Sequence, residues 1–213
     1  MVSYFVTGTD TGVGKTHTIV QILQRYRAAG LRAAGMKPIC CGDRDDATRL
    51  LAAGCEGLTV DEINPVWLQT AAAPLVAART EGYDVKPELL MDAFRLLQER
   101  VPTVFVEGVG GWLVPITADF KVSDLARSLG LPVLLVVQNR LGCLNHTFLT
   151  LEAIRATGLR CAAVVLNDFD GVRDLATTTN REILEELCGV PVLTESGELQ
   201  EALPDRLEAL FQA

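Results

Sequence analysis

The chain has 213 residues, 49% of them apolar, and a formal net charge of −8 from 19 basic and 27 acidic side chains. That acidity argues against nucleic acid as the main partner, while the length suits one α/β domain over residues 1–213 with a sizeable buried core. No apolar run reaches the ~18 residues that would suggest a membrane span.

The six cysteines, Cys40, Cys41, Cys55, Cys143, Cys161 and Cys188, form no CxxC pair. His17 and His146 lie at no zinc-ligand spacing to them. Reduced thiols in a cytoplasmic protein are the simpler account. The N-terminal strand has no charged n-region before it, so a signal peptide is not expected.

Val2, Tyr4, Phe5 and Val6 make a short β-favouring run, followed by a glycine-bearing loop and an expected helix over residues 16–27. The loop matches a variant of the phosphate-binding motif G-x-x-x-x-G-K-[ST]. Gly14-Lys15-Thr16 fits, but Thr9 stands five places before Gly14, and the glycine falls one place earlier, at Gly8. Gly12 and Gly14 permit the tight curl that aims the N–H groups of residues 11–16 at phosphate oxygens. The helix N-terminus adds unpaired N–H groups and the positive end of its dipole. Lys15 would then reach the β- and γ-phosphates, and the Thr16 hydroxyl would ligate Mg²⁺. The alternative is an ordinary βα turn.

Residues 31–38 read as a second strand with Lys37 at its carboxyl end, the side on which parallel sheets bind ligands. An acidic turn through Cys40, Cys41 and Asp43 to Asp46 leads to a helix over residues 47–53, and Asn64-Pro65 marks a break. Residues 71–81 are expected to turn helical after Pro74, and residues 87–100 form an amphipathic helix opened by Pro87. Residues 103–108 are an apolar strand of the kind buried on both faces, closed by Glu107. A glycine-rich loop runs to Ile116. A helix over residues 123–128 stops at Gly130, residues 132–137 form a central strand, and residues 142–156 carry a loop and helix. A strand over residues 161–166 ends at Asn167-Asp168. A helix over 172–187, a strand over 190–193 and a final helix near 199–211 complete the chain.

Alternating strands and helices imply an α/β fold of three layers, with a mostly parallel central sheet, helices on both faces and a P-loop NTPase-like topology. Lys15, Lys37, Glu107, Arg140 and Asn167 then gather at one edge. Glu107 stands where a Walker-B acid would, or else caps backbone N–H groups. Asp46 offers a second carboxylate or a helix cap, with Asp45 competing for either task. Lys37 faces the phosphates or solvent, and the alternative for Asn167 is a turn residue bonded to its own backbone. Cys40 and Cys41 have no histidine nearby in sequence and are expected to be inert.

Residues 4–16 (YFVTGTDTGVGKT), 34–38 (AGMKP), 105–116 (FVEGVGGWLVPI), 131–150 (LPVLLVVQNRLGCLNHTFLT) and 166–168 (LND) together resemble the dethiobiotin synthetases of the deviant P-loop NTPase superfamily. The resemblance implies a homodimeric ligase of biotin biosynthesis. It would use ATP and Mg²⁺ to join CO₂ to 7,8-diaminononanoate and close a cyclic urea, giving dethiobiotin, ADP and phosphate. Residue by residue, it implies that Thr11, Lys15 and Lys37 stabilise the carbamate and the transferring phosphoryl group. Thr16, Asp46 and Glu107 would hold the metal. Gly12, Val13, Gly14, Lys15, Thr16 and His17 would belong to the nucleotide loop, Asn167 would read the adenine, and Val192 would lie near the base. Thr11, Lys37, Cys41 and Gly110 would meet the substrate. The loop Leu141-Gly142-Cys143-Leu144-Asn145 would receive the substrate's carboxylate from the partner subunit.

Cys41 stands where the family often has serine or threonine, and Gly12 where some relatives have glutamate. Thr194-Glu195-Ser196-Gly197 replaces the usual G-E-I-P element. The alternatives sharing such a loop are a regulatory deviant-P-loop ATPase and a nucleotide-binding paralogue without carboxylase activity. The regulatory class usually carries an early lysine, K-G-G-x-G-K-T, where this chain has Asp10-Thr11-Gly12. A cobyrinate-type amidoligase needs a glutaminase domain, for which this length leaves no room.

Overall fold

The first strand, β1 (Tyr4–Gly8), is buried at every position. A computed structural model, which describes residues 2–168 and 171–194, places it in the middle of the molecule. α1 (Lys15–Ala28) leads outward to β2 (Ala34–Met36), and β3 (Ile39–Cys41) follows after Lys37-Pro38. Next come α2 (Asp45–Ala53), α3 (Val60–Ile63), β4 (Val66–Leu68), α4 (Pro74–Glu81) and α5 (Pro87–Arg100). β5 (Val104–Gly111), α6 (Val122–Leu129), β6 (Val133–Gln138), α7 (Cys143–Ala156), β7 (Cys161–Asn167), α8 (Leu175–Leu187) and β8 (Val192–Thr194) complete the described elements. The expected helix near 199–211 lies outside the described residues.

Six strands form one parallel sheet in the order β2-β5-β1-β6-β7-β8. The chain leaves β1 toward β2 on one side and later returns to β6 on the other. The carboxyl end of β1 is therefore the point where the winding reverses, and open α/β sheets bind ligands in that crevice. Adjacent β-residues face opposite ways, and β1 shows it. Tyr4 stacks on Phe105, which meets Tyr26 of α1. Phe5 faces the other layer, where it packs edge-on against Trp112, beside Gly108 and Val122 of α6. Helices thus cover both faces, as the alternation of elements implied.

α4 and α5 start at Pro74 and Pro87, which occupy first-turn positions where the missing N–H costs no hydrogen bond. The expected single strand over 31–38 divides in two. β3 leaves the main sheet and pairs in parallel with β4, which the sequence did not announce. Between them α3 carries a complete capping box, Thr59 with Glu62. That T-x-x-E signal was readable, but the helix has only four residues. β5 is also longer than expected and runs into the glycine-rich segment. Its register against β1 shifts just after Glu107, where Val6 pairs with Glu107 but Gly8 with Gly111.

α2 lies hard against β2 at Gly35. A β-carbon there would come within 2.8 Å of Leu50 Cδ2 and 3.0 Å of Leu50 Cβ, and Leu50 is fully buried. The glycine thus sets the distance of a helix that begins with Asp45 and Asp46. Gly35→Ala is expected to destabilise the fold by about 1–3 kcal/mol through overpacking, read as a lower midpoint in urea unfolding with an unchanged slope.

Candidate active site

The loop between β1 and α1 has the curl its glycines allow. Gly12 and Gly14 adopt φ of 76° and 96°, a left-handed backbone that favours glycine. Gly14 is the N-cap of α1 and supplies no side-chain bond to it, so side chains leave the first-turn N–H groups for a ligand. Val13 is buried among the core residues, and its carbonyl accepts from Asn167 Nδ2 at 3.2 Å. Lys15 Nζ folds back to donate to the Asp10 carbonyl at 3.0 Å. The Asp10 carboxylate in turn accepts from the Thr11 N–H at 2.7 Å. Asp10 is thus a second support of the loop, one that motif reasoning missed.

Three charged side chains and one hydroxyl meet at the foot of this loop. Thr16 lies in the first turn of α1, Asp46 in the first turn of α2, Glu107 on β5 and Lys37 directly after β2. Lys37 Nζ lies 2.7 Å from Asp46 Oδ2 and 2.5 Å from Glu107 Oε1. The Thr16 hydroxyl lies 2.7 Å from Asp46 Oδ1 and 2.9 Å from Glu107 Oε1. Burial disfavours the charged form of Lys37, but Glu107 and Asp46 override it and hold the amine above the ordinary lysine range. Burial likewise opposes ionisation of Asp46, and Lys37 overrides it, so the carboxyl lies below its usual range. Lys15 behaves in the opposite way: burial pulls its amine down to about 8, against the attraction of Glu107.

This donor set fits a small hard cation. One hydroxyl carries one proton, so Thr16 cannot donate to both carboxylates at once, and its oxygen is left beside two anions. Glu107 Oε2 is buried with no hydrogen-bond partner. Among the described residues no three His, Cys, Asp or Glu side chains cluster as a metal cage. Two carboxylates and a hydroxyl, completed by phosphate and water, are what Mg²⁺ prefers.

A cleft of about 850 Å³ opens over the cluster. It is lined by Thr11, Gly12, Gly14, Lys15, Thr16, His17, Lys37, Cys41, Asp46, Glu107 and Gly110, all expected site residues. Asp43, Arg49, Val114 and the wall of Ala71, Ala72, Ala73 and Pro74 also line it; none of these is among the expected site residues. Burial pushes the Cys40 and Cys41 thiols up to about 11, so neither is a ready nucleophile.

Other expected residues lie elsewhere. Asn167 is buried behind the loop, with its Oδ1 unpartnered. Val192 opens β8, where it pairs with Val164 and its side chain is buried with the core; it does not line the cleft. Of the loop after it, Glu195-Ser196-Gly197 lies outside the described residues. Arg140 does not line the cleft; it is exposed, and its carbonyl accepts from Cys143 N and Asn180 Nδ2. Leu141, Gly142, Cys143, Leu144 and Asn145 likewise sit away from the cleft, around the start of α7, with Cys143 buried and Leu141 81% exposed.

Comparison with known proteins gives a consistent picture. A family model described as an AAA domain matches residues 2–201. An ATP-dependent dethiobiotin synthetase of Akkermansia muciniphila is 47% identical over 195 residues, covering 92% of each chain. Its counterpart in Aromatoleum aromaticum is 40% identical over 199 residues, 90% of this chain and 88% of that one. Among solved structures, the septum site-determining protein MinD of Pyrococcus horikoshii, complexed with Mg-ADP, aligns with a TM-score of 0.60 at 15% identity. The alignment covers 98% of this chain and 90% of that one. Chloroplast FtsY of Physcomitrella patens aligns with a TM-score of 0.56 at 16% identity, over 99% of this chain and 65% of that one. At such identities the two structures share the fold alone.

Because Lys15 loses its charge above about pH 8, affinity for an anion in this loop falls as pH rises through that value. Calorimetric titration with inorganic triphosphate between about pH 6.5 and 9.5 is expected to show that decline, and Lys15→Met to flatten it.

Proposed function

This chain belongs to the ATP-dependent dethiobiotin synthetase family and is a ligase of that reaction; we propose that the cleft over Lys15, Lys37 and Thr16 is where it activates a carbamate with ATP. The observation that carries this reading is the cluster of buried Lys37, Glu107 and Thr16 with half-exposed Asp46 at the foot of a phosphate-type loop. Such a cluster combines a cation for transferring charge with oxygens for a metal, within one cleft.

In this reading the backbone N–H groups around Gly12 and Gly14 cradle the phosphates, and Lys15 leaves the Asp10 carbonyl to meet them. Thr16, Asp46 and Glu107 hold Mg²⁺, which when bound neutralises phosphate charge and helps orient the terminal group. One amine of 7,8-diaminononanoate takes up CO₂ as a carbamate, which Thr11 and Lys37 position. The carbamate oxygen attacks the γ-phosphorus and ADP leaves, giving a carbamic–phosphoric anhydride. The second amine then attacks the carbonyl carbon, expels phosphate and closes the cyclic urea.

Phosphoryl transfer asks little covalent work of a protein, so positioning and cationic charge carry it. Lys37 suits that task because the carboxylates keep it protonated despite its burial. No side chain of the cleft need act as base, since the amines can lose protons to phosphate oxygens.

We assign Asn167 to the base, because its buried Oδ1 is an unused acceptor of the kind that adenine's amino group would satisfy. The family also implies a homodimer. Two features support it: the loop 141–145 lies away from its own cleft, and Leu141 and Leu149 of this region are exposed apolar side chains. A partner subunit would cover them and bring that loop to the substrate's carboxylate. Six free cysteines suit a reducing, cytoplasmic setting. No described helix is long and apolar enough to cross a membrane.

Lys37→Ala is the test. Turnover, followed as dethiobiotin formed per unit time, is expected to fall about 10²- to 10³-fold, with the dissociation constant for ATP within a few-fold of the parent. Near-normal turnover in that variant would remove Lys37 from the chemistry.

A further inference from the structure

Lys37 reaches into the cluster from a chain segment that is itself held in place. Its N–H donates to the Ile63 carbonyl at 2.9 Å. Its carbonyl accepts from Asn64 Nδ2 at 2.7 Å, and the same amide donates to the Val66 carbonyl at 2.9 Å. Asn64 Oδ1 accepts from Arg44 Nε at 2.7 Å. The orientation of the amide follows from its partners, since reversing it would set an oxygen against two carbonyls. Asn64 is only 1% exposed, so the two bonds its amide donates are made out of reach of water.

The second half of the arrangement is Arg44. Its guanidinium also donates to the Asn64 carbonyl at 2.8 Å and to Asp61 at 2.7 Å, and lies over the Trp67 ring at 5.3 Å. Trp67 Nε1 bonds the Gly42 carbonyl at 2.8 Å. Arg44 is the N-cap of α2, two residues before Asp46. One buried amide therefore ties the backbone of Lys37 to the residue that fixes where α2 begins, and so sets Lys37 relative to Asp46. The small β3–β4 sheet, which supplies none of the phosphate or metal groups, supplies the frame.

We infer that Asn64, with Arg44, is a positioning residue for the reaction: it fixes the Lys37 backbone, the base from which the ammonium, paired with Asp46 and Glu107 in the free cleft, turns to the transferring phosphoryl group. This rests on the role given to Lys37 above, and the two ideas fail separately. Buried polar networks of this kind stiffen a site when every member is satisfied, and a displacement of about 1 Å at reacting groups costs about a hundredfold in rate.

A double-mutant cycle decides it. Asn64→Asp keeps an acceptor for Arg44 but loses both donors, and Arg44→Gln, at a side chain 21% exposed, breaks the same link from the surface should the first variant not fold. Each is expected to lower kcat for dethiobiotin formation about a hundredfold while the ATP dissociation constant, by calorimetry, stays within about threefold. In a Lys37→Ala background the same substitutions are expected to change kcat less than about threefold, because the group they position is gone. A further full loss in that background would mean that Asn64 only supports the fold, and would overturn the inference. So would parent-like kcat in both variants. If Lys37→Ala alone is near normal, the assignment of Lys37 has failed instead.

Discussion

The structure turns on one electrostatic arrangement: a lysine ammonium and two carboxylates packed beneath a single threonine hydroxyl. Buried charges persist only when paired and hydrogen-bonded. Here the compensation is assembled from four elements, with Lys37 and Glu107 separated by 70 positions in the chain. Removing Lys37 or Glu107, the two buried partners, would leave the other charge uncompensated, a loss of several kcal/mol in typical buried pairs. The fold is arranged to prevent that. Gly35 lets α2 approach β2, β5 delivers Glu107 before its register shifts, and Asn64 anchors Lys37 from behind.

The same cluster gives the site its division of labour. Two lysines share one cleft but hold their protons unequally, since Lys37 sits between carboxylates that raise its pKa while burial lowers that of Lys15 to about 8. One is a fixed charge and the other a responsive one. The likeness to MinD and FtsY reaches only the scaffold, because scaffolds of this kind serve many reactions and the chemistry lives in the groups placed on them. Asp10-Thr11-Gly12 illustrates the point: where a regulatory ATPase would carry a lysine, this loop carries an aspartate that braces its own backbone.

Much of this was legible in the residues. Gly12 and Gly14 announced a left-handed curl, Pro74 and Pro87 marked two helix starts, and the apolar run before Glu107 identified a central strand with an acid near its active edge. What stayed hidden depends on distant partners. β3 and β4 have three residues each, too few to show a period, and they exist because they pair with one another. Asn64 looked like a helix-breaking turn residue, whereas its bonds run to Lys37 and Arg44, 27 and 20 positions away. The resemblance places Val192 near the base, and its burial at the start of β8 is a tertiary feature that sequence alone does not announce.

The most direct measurement is a crystal structure with a non-hydrolysable ATP analogue and Mg²⁺. The account predicts triphosphate density along residues 11–16. It also predicts a metal about 2.0–2.1 Å from Thr16 Oγ1 and from an oxygen of Glu107 or Asp46, with the Lys37 ammonium turned toward the terminal phosphoryl group. A triphosphate bound elsewhere, with Lys37 still locked between its two carboxylates, would contradict it.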